Sequence, residues 1–126
     1  MGNFPDELGD CENLQVLYLG SNLFSKSLSR RLLSFRNLDY LAVDDNSFTG
    51  ALLPDILALP NLKYFDISHN KLSGEIHVIA RCDGVQEIYI SANNLTSSIL
   101  ASIKTCRNLE VLDLSSNRIN GNIPLR

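Results

Sequence analysis

Apolar residues recur along this chain in one fixed frame. An apolar residue is followed by a second three positions on, by a third two positions later, and then by Asn three positions after that. The first full copy reads Leu14-Gln15-Val16-Leu17-Tyr18-Leu19-Gly20-Ser21-Asn22. The frame returns at residues 38–46, 62–70, 85–93 and 109–117. Its closing residues, Asn22, Asn46, Asn70, Asn93 and Asn117, lie 24, 24, 23 and 24 positions apart. A repeat of this length predicts a solenoid, in which each unit forms one coil. Within a unit the period of two predicts a short strand. Leu14, Leu17 and Leu19 face inward, and Val43, Phe65, Ile67, Ile88, Ile90, Leu112 and Leu114 hold equivalent places. No single coil buries such a face, so the coils must stack into a continuous core.

The Asn that closes each strand turns the chain. Its amide can satisfy backbone groups left without partners inside the bend. Beyond it, Asn46-Ser47-Phe48-Thr49-Gly50 and Asn70-Lys71-Leu72-Ser73-Gly74-Glu75-Ile76 share the order Asn-x-apolar-x-Gly. Apolar pairs follow at Leu32 and Phe35, Ile56 and Leu59, and Ile103 and Cys106. They predict short helical or 3-10 turns opposite the strands. The reading is one domain over 1–126, with a partial repeat at 1–13, repeats at 14–37, 38–61, 62–84 and 85–108, and a partial repeat at 109–126.

Alternation also says which side chains leave the sheet on its open face. Four columns result: Val16, Tyr40, Tyr64, Glu87, Val111; Tyr18, Ala42, Asp66, Tyr89, Asp113; Gly20, Asp44, Ser68, Ser91, Ser115; and Ser21, Asp45, His69, Ala92, Ser116. All four tyrosines fall in the first two. Asp44, Asp45, Asp66, Glu87 and Asp113 join them, with no Lys or Arg. The basic residues Lys26, Arg30, Arg31, Arg36, Lys104 and Arg107 fall on the other half of the coils. Tyrosine suits strands, but it also supplies large contact area at low entropic cost. Tyr18, Tyr40, Asp44, Tyr64, Asp66, His69, Glu87, Tyr89 and Asp113 are therefore the candidate binding residues. They suit a neutral or basic peptide or protein segment, or a glycan stacked on tyrosine.

Composition removes other classes. The net charge of −3 lacks the basic footprint of a nucleic-acid binder. No apolar run reaches the roughly 18 residues of a membrane span, so no insertion by this chain is expected. The N-terminal Met1-Gly2-Asn3-Phe4-Pro5-Asp6-Glu7 has no apolar signal region. Cys11, Cys82 and Cys106 are three in number and far apart, which argues against a disulfide framework or a metal site. All three share the slot of Phe35 and Leu59, so they read as small buried hydrophobes. Asp44-Asp45-Asn46 starts like a calcium loop, but Phe48 and Thr49 break the ligand pattern. A triad or carboxylate pair around Asp44, Asp66 and His69 would lie on a shallow, open sheet that does not exclude water. No enzyme chemistry, metal or cofactor is expected.

The units resemble the plant-type extracellular leucine-rich repeat, Leu-x-x-Leu-x-Leu-x-x-Asn-x-Leu-x-Gly-x-Ile-Pro, over essentially the whole chain. The nearest copies are Leu109 to Pro124 and Leu62 to Ile76. The resemblance implies an α/β solenoid: a right-handed superhelix with a parallel concave sheet of about five strands and a convex side of short 3-10 or irregular turns. In that family the Gly-x-Ile-Pro segment adds a short second strand. Lys26 and Ser97 replace the Gly, Ser29, His77 and Leu100 stand in the Pro slot, and Pro54 comes one residue late. Those coils are expected to lack a clean second strand.

The resemblance implies a non-catalytic binding segment of a plant receptor-like kinase or receptor-like protein, at the cell surface, with a peptide or protein ligand and a co-receptor as partners. The alternatives are an inhibitor module similar to polygalacturonase-inhibiting proteins, or a truncated accessory protein acting by heteromeric assembly. Family caps with paired cysteines are absent, so both ends read as uncapped and open to self-association. Asn94-Leu95-Thr96 is a glycosylation sequon, expected to be used in a secreted parent.

Overall fold

The computed structural model describes residues 13–28, 30–51, 55–74, 82–95 and 105–117. Each copy of the frame forms a three-residue strand: β1 (Val16–Tyr18), β3 (Tyr40–Ala42), β5 (Tyr64–Asp66), β7 (Glu87–Tyr89) and β9 (Val111–Asp113). They pair in parallel in the order β1-β3-β5-β7-β9. Register follows the repeat, with Val16 beside Tyr40, Tyr40 beside Tyr64, Tyr64 beside Glu87 and Glu87 beside Val111.

A second parallel sheet runs β2 (Ser25–Ser27), β4 (Ser47–Ala51), β6 (Lys71–Gly74) and β8 (Asn94–Leu95). The expectation that the coils with Lys26 and Ser29, with Pro54, with His77, and with Ser97 and Leu100 lack a clean second strand is thereby corrected, since each forms one. Lys26 takes the left-handed conformation, φ +65°, that Gly50 and Gly74 supply at +82° and +88°. Parallel pairing to β4 holds it there despite its Cβ. The Ser97 coil forms β8 ahead of that residue. Short 3-10 turns at Arg30–Ser34 and Ile56–Ala58 return the chain. Ser29, Pro54, His77, Ser97, Leu100, Ile103, Lys104, residues 1–12 with Cys11, and residues 118–126 lie outside the described residues.

The core consists of stacked columns. Leu38, Leu41, Val43, Leu62, Phe65, Ile67, Val85, Ile88 and Ile90 are buried. Leu14, Leu19, Leu112 and Leu114, on the first and last strands of the sheet, are partly buried against this core. Phe48, Leu72 and Leu95 fill a column behind the second sheet, with the Phe24 and Phe48 ring centroids 6.0 Å apart.

Cys82 and Cys106 are not the free buried hydrophobes expected from their slot. Cys82 and Cys106 are buried, but they are joined by a disulfide, with Cα atoms 4.5 Å apart. Their separation of 24 residues is one repeat. Wide spacing in sequence therefore becomes direct stacking in space, which a count of cysteines does not reveal.

Candidate ligand-binding face

Side chains on the five-stranded sheet are positioned from behind by the Asn residues. Asn70 donates through Nδ2 to the carbonyls of Val43, Ile67 and Ser68, and its Oδ1 accepts the Phe48 amide at 3.1 Å. Asn46, Asn93 and Asn117 repeat these contacts one coil lower or higher. Asn22 is exposed and reaches only the carbonyls of Leu19 and Gly20 among its described contacts. Each of these residues follows one in left-handed backbone: Ser21, Asp45, His69, Ala92 and Ser116, with φ between +54° and +57°.

A second Asn column precedes four of the five strands, with Gly84 in its place before β7. Asn37 donates to Asn13 Oδ1 at 3.2 Å, Asn61 to the Arg36 carbonyl and Asn108 to the Asp83 carbonyl. The recurring Asn-Leu pair at 13–14, 37–38, 61–62 and 108–109 is the signal that marks it.

On the open face, three of the four tyrosines form a row. Tyr40 and Tyr64 stack with centroids 4.3 Å apart and planes 3° apart. Tyr89 leans on Tyr64 at 5.3 Å and 42°. The Tyr40 and Tyr64 faces cover one another, so the row presents edges and hydroxyls. That geometry favours hydrogen bonding to an extended chain over stacking of a sugar ring. Burial raises the Tyr64 phenol, and the charge of Asp66 adds to it. Tyr18 stands apart and is 59% exposed.

The carboxylates are unequal. Asp66 Oδ1 accepts the Ser68 amide at 2.9 Å and the Ser68 hydroxyl at 2.6 Å. Asp113 is held the same way by Ser115, which lowers its pKa. Glu87 accepts the Tyr89 hydroxyl at 2.6 Å, and this bond raises the Tyr89 pKa. Asp44 Oδ1 is buried and accepts no hydrogen bond. Burial raises the Asp44 carboxyl, its own backbone amide opposes this, Asp66 and Asp45 reinforce it, and His69 also opposes it. His69 and Asp45 are exposed at the edge of the face, while Ala42, expected on it, is buried.

The structure thus brings Tyr40, Tyr64 and Tyr89 together with Asp66 and Glu87. Asp44 sits one column over beside Gly20, and Asp113 lies on the last strand. Among the described residues, no group of three or more His, Cys, Asp or Glu is placed to hold a metal, and no helix is long and apolar enough to cross a membrane.

Comparison with known proteins agrees with the coil geometry. Two family models, described as Leucine Rich Repeat and Leucine Rich repeat, match residues 61–81 and 105–123. A search of curated proteins returns no match. Among solved structures, a TDR receptor superposes with a TM-score of 0.91 at 30% identity over 98% of this chain. The ectodomain of the Arabidopsis thaliana receptor kinase GASSHO1/SCHENGEN3, in complex with CASPARIAN STRIP INTEGRITY FACTOR 2, gives 0.89 at 28% over 98%. The Arabidopsis receptor kinase HAESA, in complex with the peptide hormone IDA and the co-receptor SERK1, gives 0.88 at 27% over 94%. The chain spans 22%, 15% and 20% of those three chains. The molecule is a leucine-rich repeat solenoid similar to plant receptor kinase ectodomains.

Proposed function

From a leucine-rich repeat solenoid of this kind, we propose that the chain is a non-catalytic recognition segment of a plant cell-surface receptor-like protein, taking a peptide or protein ligand on its five-stranded sheet. The observation that carries this reading is the row of Tyr40, Tyr64 and Tyr89 with Asp66 and Glu87 on one open face. A rigid aromatic row over a stiff backbone ladder is pre-organised for contact, so little ordering entropy is spent on binding. The HAESA and GASSHO1/SCHENGEN3 complexes supply the precedent, since both hold a partner on the same fold. A co-receptor is the second partner class, by analogy with HAESA.

Size limits the contact. Five strands at roughly 4.8 Å spacing span about 20 Å, room for about six extended residues. The isolated chain therefore binds weakly. Extracellular placement fits the buried disulfide, which persists in oxidising compartments, and the exposed Asn94 of the sequon. Secretory expression should add one glycan that Asn94→Gln removes.

The test is a peptide screen against this chain, repeated with Tyr64→Ala and Asp66→Ala. Binding that weakens in both supports the sheet as the site. Unchanged affinity in both moves the site elsewhere.

A further inference from the structure

We propose that this face takes an extended, positively charged peptide, and that Asp44, set between Gly20 and Tyr18, seats one of its guanidinium or ammonium groups. This deepens the binding reading above and rests on it.

Charge sets the sign of the partner. The four columns carry Asp44, Asp45, Asp66, Glu87 and Asp113 and no Lys or Arg. An acidic segment would meet like charge along the sheet, whereas a basic one is steered to it.

Asp44 is the carboxylate with an unanswered demand. Asp66 and Asp113 are each held by a serine two positions on, and Glu87 by Tyr89. Asp44 Oδ1 is shielded from water yet accepts nothing. Its column explains why: Gly20 on one side has no side chain, and the Ser68 hydroxyl on the other is committed to Asp66. A buried acceptor without a donor has the most to gain from an incoming one.

Tyr18 supplies the second half of the seat. A Cβ on Gly20 would lie 2.6 Å from Asp44 Oδ1, 2.7 Å from Tyr18 Cε1 and 2.9 Å from the Tyr18 hydroxyl. Glycine is thus what lets the ring and the carboxylate converge. Tyr18 is mostly exposed, and exposed side chains change rotamer quickly. A swing of the ring opens Oδ1 and offers the ring face to the cation. Arginine fits best, because its planar fork bonds a carboxylate and stacks on a ring at once.

The test uses three capped seven-residue peptides of Gly and Ser carrying two Arg, two Gln or two Glu. Each is titrated by NMR at low ionic strength into the wild-type chain and into Asp44→Asn and Asp45→Asn chains whose spectra show the native fold. The expected result is saturable binding of the Arg peptide, with shifts centred on Tyr18, Gly20 and Asp44. Asp44→Asn should weaken it at least tenfold, and Asp45→Asn less than threefold. Equal weakening by the two variants, or equal affinity for the Gln and Arg peptides, overturns the seat and leaves the sheet as a peptide-binding face. Absence of shifts on the sheet with all three peptides overturns both readings.

Discussion

Cys82 and Cys106 occupy the same slot of successive coils and are joined by a disulfide, their Cα atoms 4.5 Å apart. The bond closes a loop of one repeat and locks two coils at a fixed rise. A loop of that size removes chain entropy worth about 3 kcal/mol from the unfolded state. Full reduction, verified by thiol titration, should lower stability by about 2–4 kcal/mol in urea unfolding. Both cysteines are buried, so reduction of the folded chain should be slow. An unchanged midpoint after complete reduction would contradict the staple.

Asn70 and Asn22 share a sequence role but not an environment. Asn70 is buried and bonds groups on two coils. Removing its amide strands those groups, so Asn70→Ala should cost about 1–3 kcal/mol. Asn22 is exposed, and water can replace its two described contacts. Asn22→Ala should cost less than about 1 kcal/mol. Thermal unfolding of both variants checks the difference, and equal losses would mean that burial does not set the strength of the ladder.

Lys26 and Gly50 hold the left-handed position of neighbouring second-sheet strands. For a residue with a Cβ that conformation costs roughly 1–2 kcal/mol. Lys26→Gly should relieve this, offset by glycine's greater unfolded freedom, for a net gain of up to about 1 kcal/mol. Gly50→Ala should lose about 1–2 kcal/mol, and its added Cβ would meet Ser27 Cβ at 3.4 Å. Denaturation midpoints moving in opposite directions are the expected result. A destabilised Lys26→Gly would mean that the Lys26 side chain contributes more than its backbone strain removes.

These cases mark how far the chain can be read without coordinates. The places of Leu17, Leu41, Phe65 and Ile88 follow from the frame, because a period of two within the strand and of about 24 between strands fixes each residue's face. The same two periods put Tyr40 beside Tyr64. They do not say that the rings lie flat against each other, which depends on rotamers. Nor do they separate Asp44 from Asp66. Both are acidic residues of adjacent columns, and their difference arises from Ser68 bonding one and Gly20 offering nothing to the other. The disulfide was legible in principle, since Cys82 and Cys106 are one period apart. The odd total of three cysteines masks this pair.

Asp44 and Asp113 should give stability opposite dependences on pH. The folded chain raises the Asp44 pKa above its ordinary value of 3.8, so it holds that proton more tightly than the unfolded chain does. The resulting destabilisation is complete above the folded pKa and disappears as pH falls below 3.8. Asp113 is lowered below 3.8 by Ser115. Its stabilisation is present above 3.8 and is lost as pH falls through the folded value. Asp44→Asn should therefore raise the melting temperature near pH 7 and have no such effect near pH 3. Asp113→Asn should lower it near pH 7, with the gap closing in more acidic solution. Melting curves of both variants and the wild-type chain across this range check the signs. An Asp44→Asn gain that persists unchanged at pH 3 would assign the effect to altered packing beside Gly20 rather than to the buried charge.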